Sequence, residues 1–224
     1  AKGGPLMGFD PAVWRQMFAV NVDGTFHFIQ ACLPRMIEQK GGSISIISSV
    51  SGLHGHKYDG PYSATKFALV GLAQSLAQEL AKHNIVVVPL CPGFVESDMT
   101  RRSVRGLMTH QSLSLADAEA RIAQANPQGR ILQPEEIAEA VAFCATNAAR
   151  SVSGASLQML GWSDARVLQL VNWVYDHAAR AKQLFVPVSG GTDSALNFAV
   201  CSKAYPEKTV GVFVGPKERL RCHP

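Results

Sequence analysis

Apolar residues recur along this chain with two alternating periods, and the alternation predicts the order of its elements. From Asp10 they fall at Val13, Met17, Phe18, Val20, Phe26, Phe28, Ile29, Leu33 and Ile37, which predicts one long helix to about Glu38. Asp10 before Pro11 reads as its N-cap, with proline in the first turn. A short apolar strand follows at Ile44–Ser48 and runs into the polar turn Ser49-Val50-Ser51-Gly52. The loop Gly52–Pro61 leads to a second long helix, Tyr62–Lys82. Ile85–Leu90 is a continuous apolar strand that ends at Cys91-Pro92-Gly93. The stretch Ser97–Asn126 is polar and basic and is expected to form a mobile lid. Pro134–Asn147 reads as a helix with Glu135 and Glu136 in its first turn, where the helix dipole favours acidic residues. Ala155–Leu160 closes the series as a strand. Strands alternating with helices predict a parallel sheet covered on both faces.

The pattern changes past Gly161-Trp162. Ala165–Arg180 is amphipathic, with Val167, Leu168, Leu170, Val171, Trp173, Val174 and Ala178 apolar. Leu184–Val188 then reads as a strand, Ala195–Ala204 as a helix and Thr209–Val214 as a strand. The fold class expected is therefore α/β. Residues 1–162 would form a partial Rossmann-type, doubly wound parallel sheet, and residues 163–224 a small C-terminal βαβ unit.

Composition narrows the function. Of 224 residues, 47% are hydrophobic, so a buried core is feasible. The net charge of +4 is mild and the basic residues are scattered apart from Arg101, Arg102 and Arg105, which argues against a nucleic-acid surface. The five cysteines are odd in number and show no Cys-x-x-Cys pairing, so they read as reduced thiols in a cytoplasmic protein. Cys222-His223 lacks distant partners and reads as a bystander tail, so no metal site is expected. No apolar run approaches the ~18 residues that a membrane span needs.

The densest chemistry lies at Tyr62-Ser63-Ala64-Thr65-Lys66. Residues four apart on a helix share a face, so the Lys66 ammonium can sit beside the Tyr62 phenol. A free phenol titrates near pH ~10. A neighbouring cation favours the phenolate, which makes a proton donor and acceptor usable near neutral pH. The Ser49 hydroxyl, thirteen residues upstream, can hold the carbonyl oxygen that this phenol protonates.

With Asn21-Val22-Asp23-Gly24 upstream and Pro92-Gly93-Phe94-Val95-Glu96-Ser97 downstream, these pieces resemble the short-chain dehydrogenase/reductase family over about residues 5–162. The match covers roughly the last two thirds of that family's usual domain. The resemblance implies an oxidoreductase that uses NAD or NADP to interconvert a carbonyl and an alcohol. It implies proton exchange by Tyr62, and Lys66 lowering the tyrosine pKa and bonding the nicotinamide ribose. It further implies that Ser49 positions the substrate oxygen and that Asn21 bends its helix and holds a water beside Lys66. Pro92, Gly93 and Val95 would pass close to the nicotinamide ring, and Ser97, often Thr in the family, would bond its carboxamide. The two long helices commonly pair across a dimer in this family, so a homo-oligomer is expected. Gly129–Ile137 and Val152–Leu157 look similar to 3-oxoacyl reductases of the family.

The glycine-rich turn that holds the pyrophosphate in this family does not stand in the sequence. The expectation is thus a fragment, or half of a fold completed by a partner chain. The strand at Ile44–Ser48 would then present an apolar edge. His54 and His56 read as loop residues on a pocket wall rather than catalysts. Arg101, Arg102 and Arg105 read as a solvated lid face, with attraction of an anionic substrate as the alternative.

Ser189-Gly190-Gly191-Thr192-Asp193-Ser194 follows the first strand of the C-terminal unit. It resembles the pyrophosphate loop of the ATP-pyrophosphatase superfamily, and the helix before it that of NAD synthetases. The resemblance implies ATP at backbone amides and hydroxyls of this loop, with Asp193 orienting magnesium. Pro187 removes a ladder amide from that strand. Two alternatives to the dehydrogenase reading stay open: an ATP-dependent NAD synthetase-like amide ligase, and a non-catalytic fusion fragment.

Overall fold

The computed structural model describes residues 3–160 and the backbone of residues 184–189 and 209–214. The helix expected at 165–180, the loop residues Gly190–Ser194, the helix at 195–204 and the Cys222-His223 pair lie outside the described residues.

The first long helix begins as expected. Asp10 accepts a hydrogen bond from the Ala12 amide at 2.8 Å and Pro11 opens α1, Pro11–Phe18. The helix then takes a single π-helical turn at Ala19–Asp23 before continuing as α2, Gly24–Glu38. A π-turn wedges one extra residue into the helix, and such turns concentrate at functional sites. Asn21 stands in its centre. Asn21, where the resemblance implied a bend, thus lies in a π-turn.

Strand β1 spans Gly42–Ile47 and β2 Ile85–Pro92, and the two pair in parallel. Between them lies α3, Gly60–Leu80, finished by a 3-10 turn at Ala81–His83. Asn84 ends it in the left-handed conformation (φ 60°). Strand β3, Leu157–Met159, pairs in parallel with the end of β2, so the sheet runs β1-β2-β3. β1 is an edge strand of that ladder.

All eight residues of β2 are buried, as a central parallel strand covered on both faces requires. Alternate side chains enter two separate cores. Ile85 and Val87 pack with Ile29, Met36, Leu69, Ala73 and Leu80. Val86, Val88 and Leu90 pack with Val141, Cys144 and Ala149 from the other side, where the helix Pro134–Cys144 covers the sheet. Met36, Ile46, Leu80 and Leu90 are wholly buried, and each such side chain contributes about 1.5–3 kcal/mol of burial.

The polar stretch 97–126, expected as a lid, contains two helices. Here α4, Asp98–Gln111, is capped by Ser97 and α5, Leu115–Ala123, by Ser114, each serine oxygen accepting from a first-turn amide. The two helices share a small core of Val104, Ala118 and Ile122.

In the C-terminal part, β4, Leu184–Ser189, pairs in parallel with β5, Thr209–Val214. Both strands fall where the sequence placed them, and Pro187 stands opposite Val212. β4 comes within 8 Å of β1 by Cα distance without joining its ladder. No helix among the described residues is long and apolar enough to cross a membrane.

Candidate functional site

The C-terminal ends of β1 and β2 open into one cavity of about 920 Å³. This is where ligands collect in open parallel sheets. Asn21, Ser49, Tyr62, Lys66, Pro92, Gly93, Val95 and Ser97 all line it. Residues far apart in sequence, from Asn21 to Ser97, thus meet on one surface.

Each is placed by a local device. Ser49 caps the 3-10 turn Val50–Gly52, and its oxygen accepts the Ser51 amide at 3.1 Å. The hydroxyl proton stays available to donate into the cavity. Tyr62 and Lys66 lie one turn apart on α3, as the four-residue spacing required. The Lys66 ammonium stands 5.5 Å from the Tyr62 ring centroid and donates to the Ile47 carbonyl at 3.1 Å. That bond fixes a buried lysine against the end of β1.

Gly52 sets how closely this turn approaches α3. A Cβ there would lie 2.8 Å from the Lys66 carbonyl oxygen and would also strike the Ser48 hydroxyl. The Ser48 hydroxyl itself donates to the Lys66 carbonyl at 2.9 Å. The turn bearing Ser49 is therefore locked to the helix turn bearing Lys66.

Asn21 reaches α3 through its side chain. Its amide donates to Thr65 Oγ1 at 3.0 Å, and the Thr65 hydroxyl donates to the Tyr62 carbonyl at 2.8 Å. The Thr25 hydroxyl donates to the Asn21 carbonyl at 2.7 Å.

Four contributors escaped the sequence reading. Thr65 is one. Asn126, 1% exposed, is the second. Its carboxamide accepts the Phe94 amide at 2.9 Å and donates to the Phe94 carbonyl at 2.9 Å and the Arg130 carbonyl at 2.7 Å. It pins the segment that follows Pro92-Gly93. Thr100 is the third: its hydroxyl donates to the Val95 carbonyl at 2.5 Å. Asp59 is the fourth: it lines the cavity three residues before Tyr62 and accepts the Ser51 hydroxyl at 3.0 Å. Burial pushes its carboxyl above the usual range, opposed by the Ser51 bond and by nearby positive charge.

Two expectations need adjustment. Ser97 lines the cavity, but its hydroxyl serves α4, accepting the Thr100 amide at 3.2 Å and donating to Thr100 Oγ1 at 3.3 Å. A carboxamide partner would have to compete with that cap. The three arginines also part company. Arg101 is held by Glu96 and by Asp98, the latter at 2.7 Å, whereas Arg102 lines the cavity. Of the two loop histidines, His56 lines the cavity and His54 does not.

Cys91 closes β2 beside the site. Burial pushes its thiol up, against the lowering effect of Ser48. Among the described residues no three His, Cys, Asp or Glu side chains converge as a metal site would require.

Residues 1–107 match the family model described as short chain dehydrogenase. The 3-oxoacyl-acyl-carrier-protein reductase FabG of Aquifex aeolicus (strain VF5) is 35% identical over 148 residues, 66% of this chain and 55% of that protein. Among solved structures, actinorhodin polyketide ketoreductase with NADPH superposes with a TM-score of 0.67 at 32% identity, over 71% of this chain and 62% of that one. Sorbitol-6-phosphate 2-dehydrogenase SrlD from Erwinia amylovora gives 0.67 at 29% identity, over 72% and 64%. The chain thus spans little more than half the length of the curated relative, and its Rossmann-like parallel sheet is the one these structures share.

The residues present fit one end of a dinucleotide. Tyr62 and Lys66 offer a hydroxyl and an ammonium to a ribose, beside the Pro92–Val95 backbone. Among the described residues no glycine-rich turn leads from a strand into a helix to cradle the pyrophosphate.

Proposed function

We propose that this chain carries the substrate-binding and proton-transfer part of an NAD(P)-dependent oxidoreductase that interconverts a carbonyl and an alcohol. The observation that carries the reading is the convergence of Ser49, Tyr62, Lys66 and Asn21 on one cavity at the C-terminal end of the sheet.

Ser49 donates its hydroxyl proton to the substrate oxygen, a role supported by the Ser51 amide already occupying one of its lone pairs. Tyr62 gives the oxygen its proton in reduction and takes it back in oxidation. Lys66, fixed by the Ile47 carbonyl, keeps a positive charge beside the phenol. Asn21 sets the distance between the two long helices through Thr65. The dinucleotide supplies the hydride when bound. Tyr62, Lys66, Pro92, Gly93 and Val95 hold its nicotinamide end in this reading. The NADPH in the ketoreductase structure makes NADPH the first cofactor to test, and the FabG relatives make a 3-oxoacyl thioester the first substrate.

A homo-oligomer goes with this reading. Trp14, Phe26 and Phe67 are 37%, 46% and 46% exposed on α1, α2 and α3, which supports burial against a second copy. Free thiols at Cys32, Cys91 and Cys144 support a reducing, cytoplasmic setting. The ATP loop reading of Ser189–Ser194 rests on its sequence resemblance, with Ser189 ending β4. ATP binding abolished by Asp193→Ala would support it.

The test is oxidation of NADPH by the protein on addition of a 3-oxobutyryl thioester. Stoichiometric 3-hydroxybutyryl product is expected. No product at any concentration of either reactant contradicts the reading.

A further inference from the structure

The cavity is electrically lopsided. Its charged lining residues are Lys57, Lys66 and Arg102 against a single carboxylate, Asp59. That carboxylate already accepts the Ser51 hydroxyl, and Lys66 is committed to the Ile47 carbonyl. Two exposed cations remain on the cavity wall, Lys57 and Arg102.

Neither is in a close ion pair among the described residues, where such pairs join Arg35 to Glu38, Arg101 to Glu96 and Asp98, and Arg130 to Glu136; Arg102 acts on Asp98 only at longer range. Both carboxylates near the start of α4 make their close contacts with Arg101 rather than with Arg102. Lys57 has a ring for a neighbour, its ammonium 4.9 Å from the Tyr58 centroid. The carriers of both cations are anchored. Tyr58 adopts a left-handed backbone (φ 67°), and its carbonyl accepts the Gly4 amide at 2.7 Å. Arg102 sits in the Ser97-capped start of α4. Two cations on separate, fixed elements facing one cavity form an anion-selecting rim.

Resting on the oxidoreductase reading, we propose that the carbonyl substrate carries an anionic group, a carboxylate or a phosphate, which Lys57 and Arg102 bind while its carbonyl reaches Ser49 and Tyr62. Arg102 would take such a group through two donors of its planar fork, and Lys57 through a single ammonium. The pairing of Arg101 with Glu96 and Asp98 keeps those carboxylates from repelling the anion.

The test compares acetoacetate with methyl acetoacetate, and dihydroxyacetone phosphate with dihydroxyacetone. Each is measured by NADPH oxidation and by calorimetric binding. The anionic member of at least one pair is expected to have the higher kcat/KM, by about tenfold or more, the range for bonds to charged groups. Lys57→Gln and Arg102→Gln should each collapse that ratio, whereas Arg105→Gln, off the cavity wall, should not. Preference within the first pair assigns a carboxylate, and within the second a phosphate. Equal kcat/KM for charged and neutral members, or equal effects of Arg102→Gln and Arg105→Gln, overturns the inference and leaves the oxidoreductase reading intact. Anion binding lost in Arg102→Gln, without NADPH oxidation, does the reverse. No calorimetric binding of either anion overturns the site.

Discussion

Asn21 and Thr65 stand 44 residues apart in sequence, and the amide of one donates to the hydroxyl of the other at 3.0 Å. This bond joins the π-turn of the first long helix to the turn of α3 that lies between Tyr62 and Lys66. Thr65 has no exposed surface, so its hydroxyl cannot be replaced by solvent. Thr65→Val keeps the shape and removes the acceptor. It should cost about 1–3 kcal/mol, because a part-buried amide loses its partner. Thr65→Ser should restore the loss. Urea unfolding of the two variants checks this, and equal midpoints would contradict it.

Asn126 is the corresponding clamp on the other side of the cavity. It satisfies three main-chain groups of Phe94 and Arg130 while almost fully buried. Asn126→Ala should destabilise the fold by about 2–4 kcal/mol, since several buried polar groups lose partners at once. It should also weaken NADPH binding more than it changes the binding of a carbonyl substrate. Fluorescence titration with NADPH and denaturant unfolding read the two effects separately.

Gly52 has no room for a side chain. Gly52→Ala should push the Ser49 turn away from the Lys66 carbonyl, at an overpacking cost of about 1–3 kcal/mol. Turnover should fall further than stability alone accounts for, because the Ser49 hydroxyl moves relative to Tyr62. Undiminished kcat in the Gly52→Ala variant would argue that this spacing is unimportant.

Glu136 gives the fold part of its acid sensitivity. Bonds from the Arg130 guanidinium, at 2.6 and 2.8 Å, hold its carboxyl below the ordinary range; burial opposes them, and the Gln133 amide adds to the lowering. A depressed folded pKa contributes stability that is present above the unfolded value of about 4.3. That stability is lost as pH falls through the folded value. Glu136→Gln should therefore lower stability near pH 6 and narrow the gap to wild type near about pH 3. Urea midpoints at the two pH values test the sign.

Much of this architecture was legible because its signals are local. The Tyr62–Lys66 spacing needs only the helical period, and β2 announces itself by an apolar run longer than its neighbours. The parallel order followed from alternating elements. What escaped was long-range or unsigned by composition. Asn126 acts on a backbone 32 residues away, and nothing near it marks the contact. A π-turn differs from an α-turn by one residue, so Asn21 could be expected to bend its helix without the bend's form being visible. The helices at 98–123 were hidden by their polar faces. Their signals were present in the serine caps and in Val104, Ala118 and Ile122, but a high charge density masked that short apolar stripe.

The central claim is that Tyr62 carries the proton of a carbonyl–alcohol interconversion. The most direct measurement is kcat for NADPH-dependent reduction of a 3-oxobutyryl thioester by wild type and by Tyr62→Phe, with unfolding midpoints recorded for both. Removing one hydroxyl should leave the midpoint nearly unchanged and lower kcat by about 100-fold or more, the usual weight of a positioned general acid. A folded Tyr62→Phe variant that keeps kcat within about threefold of wild type would contradict the account.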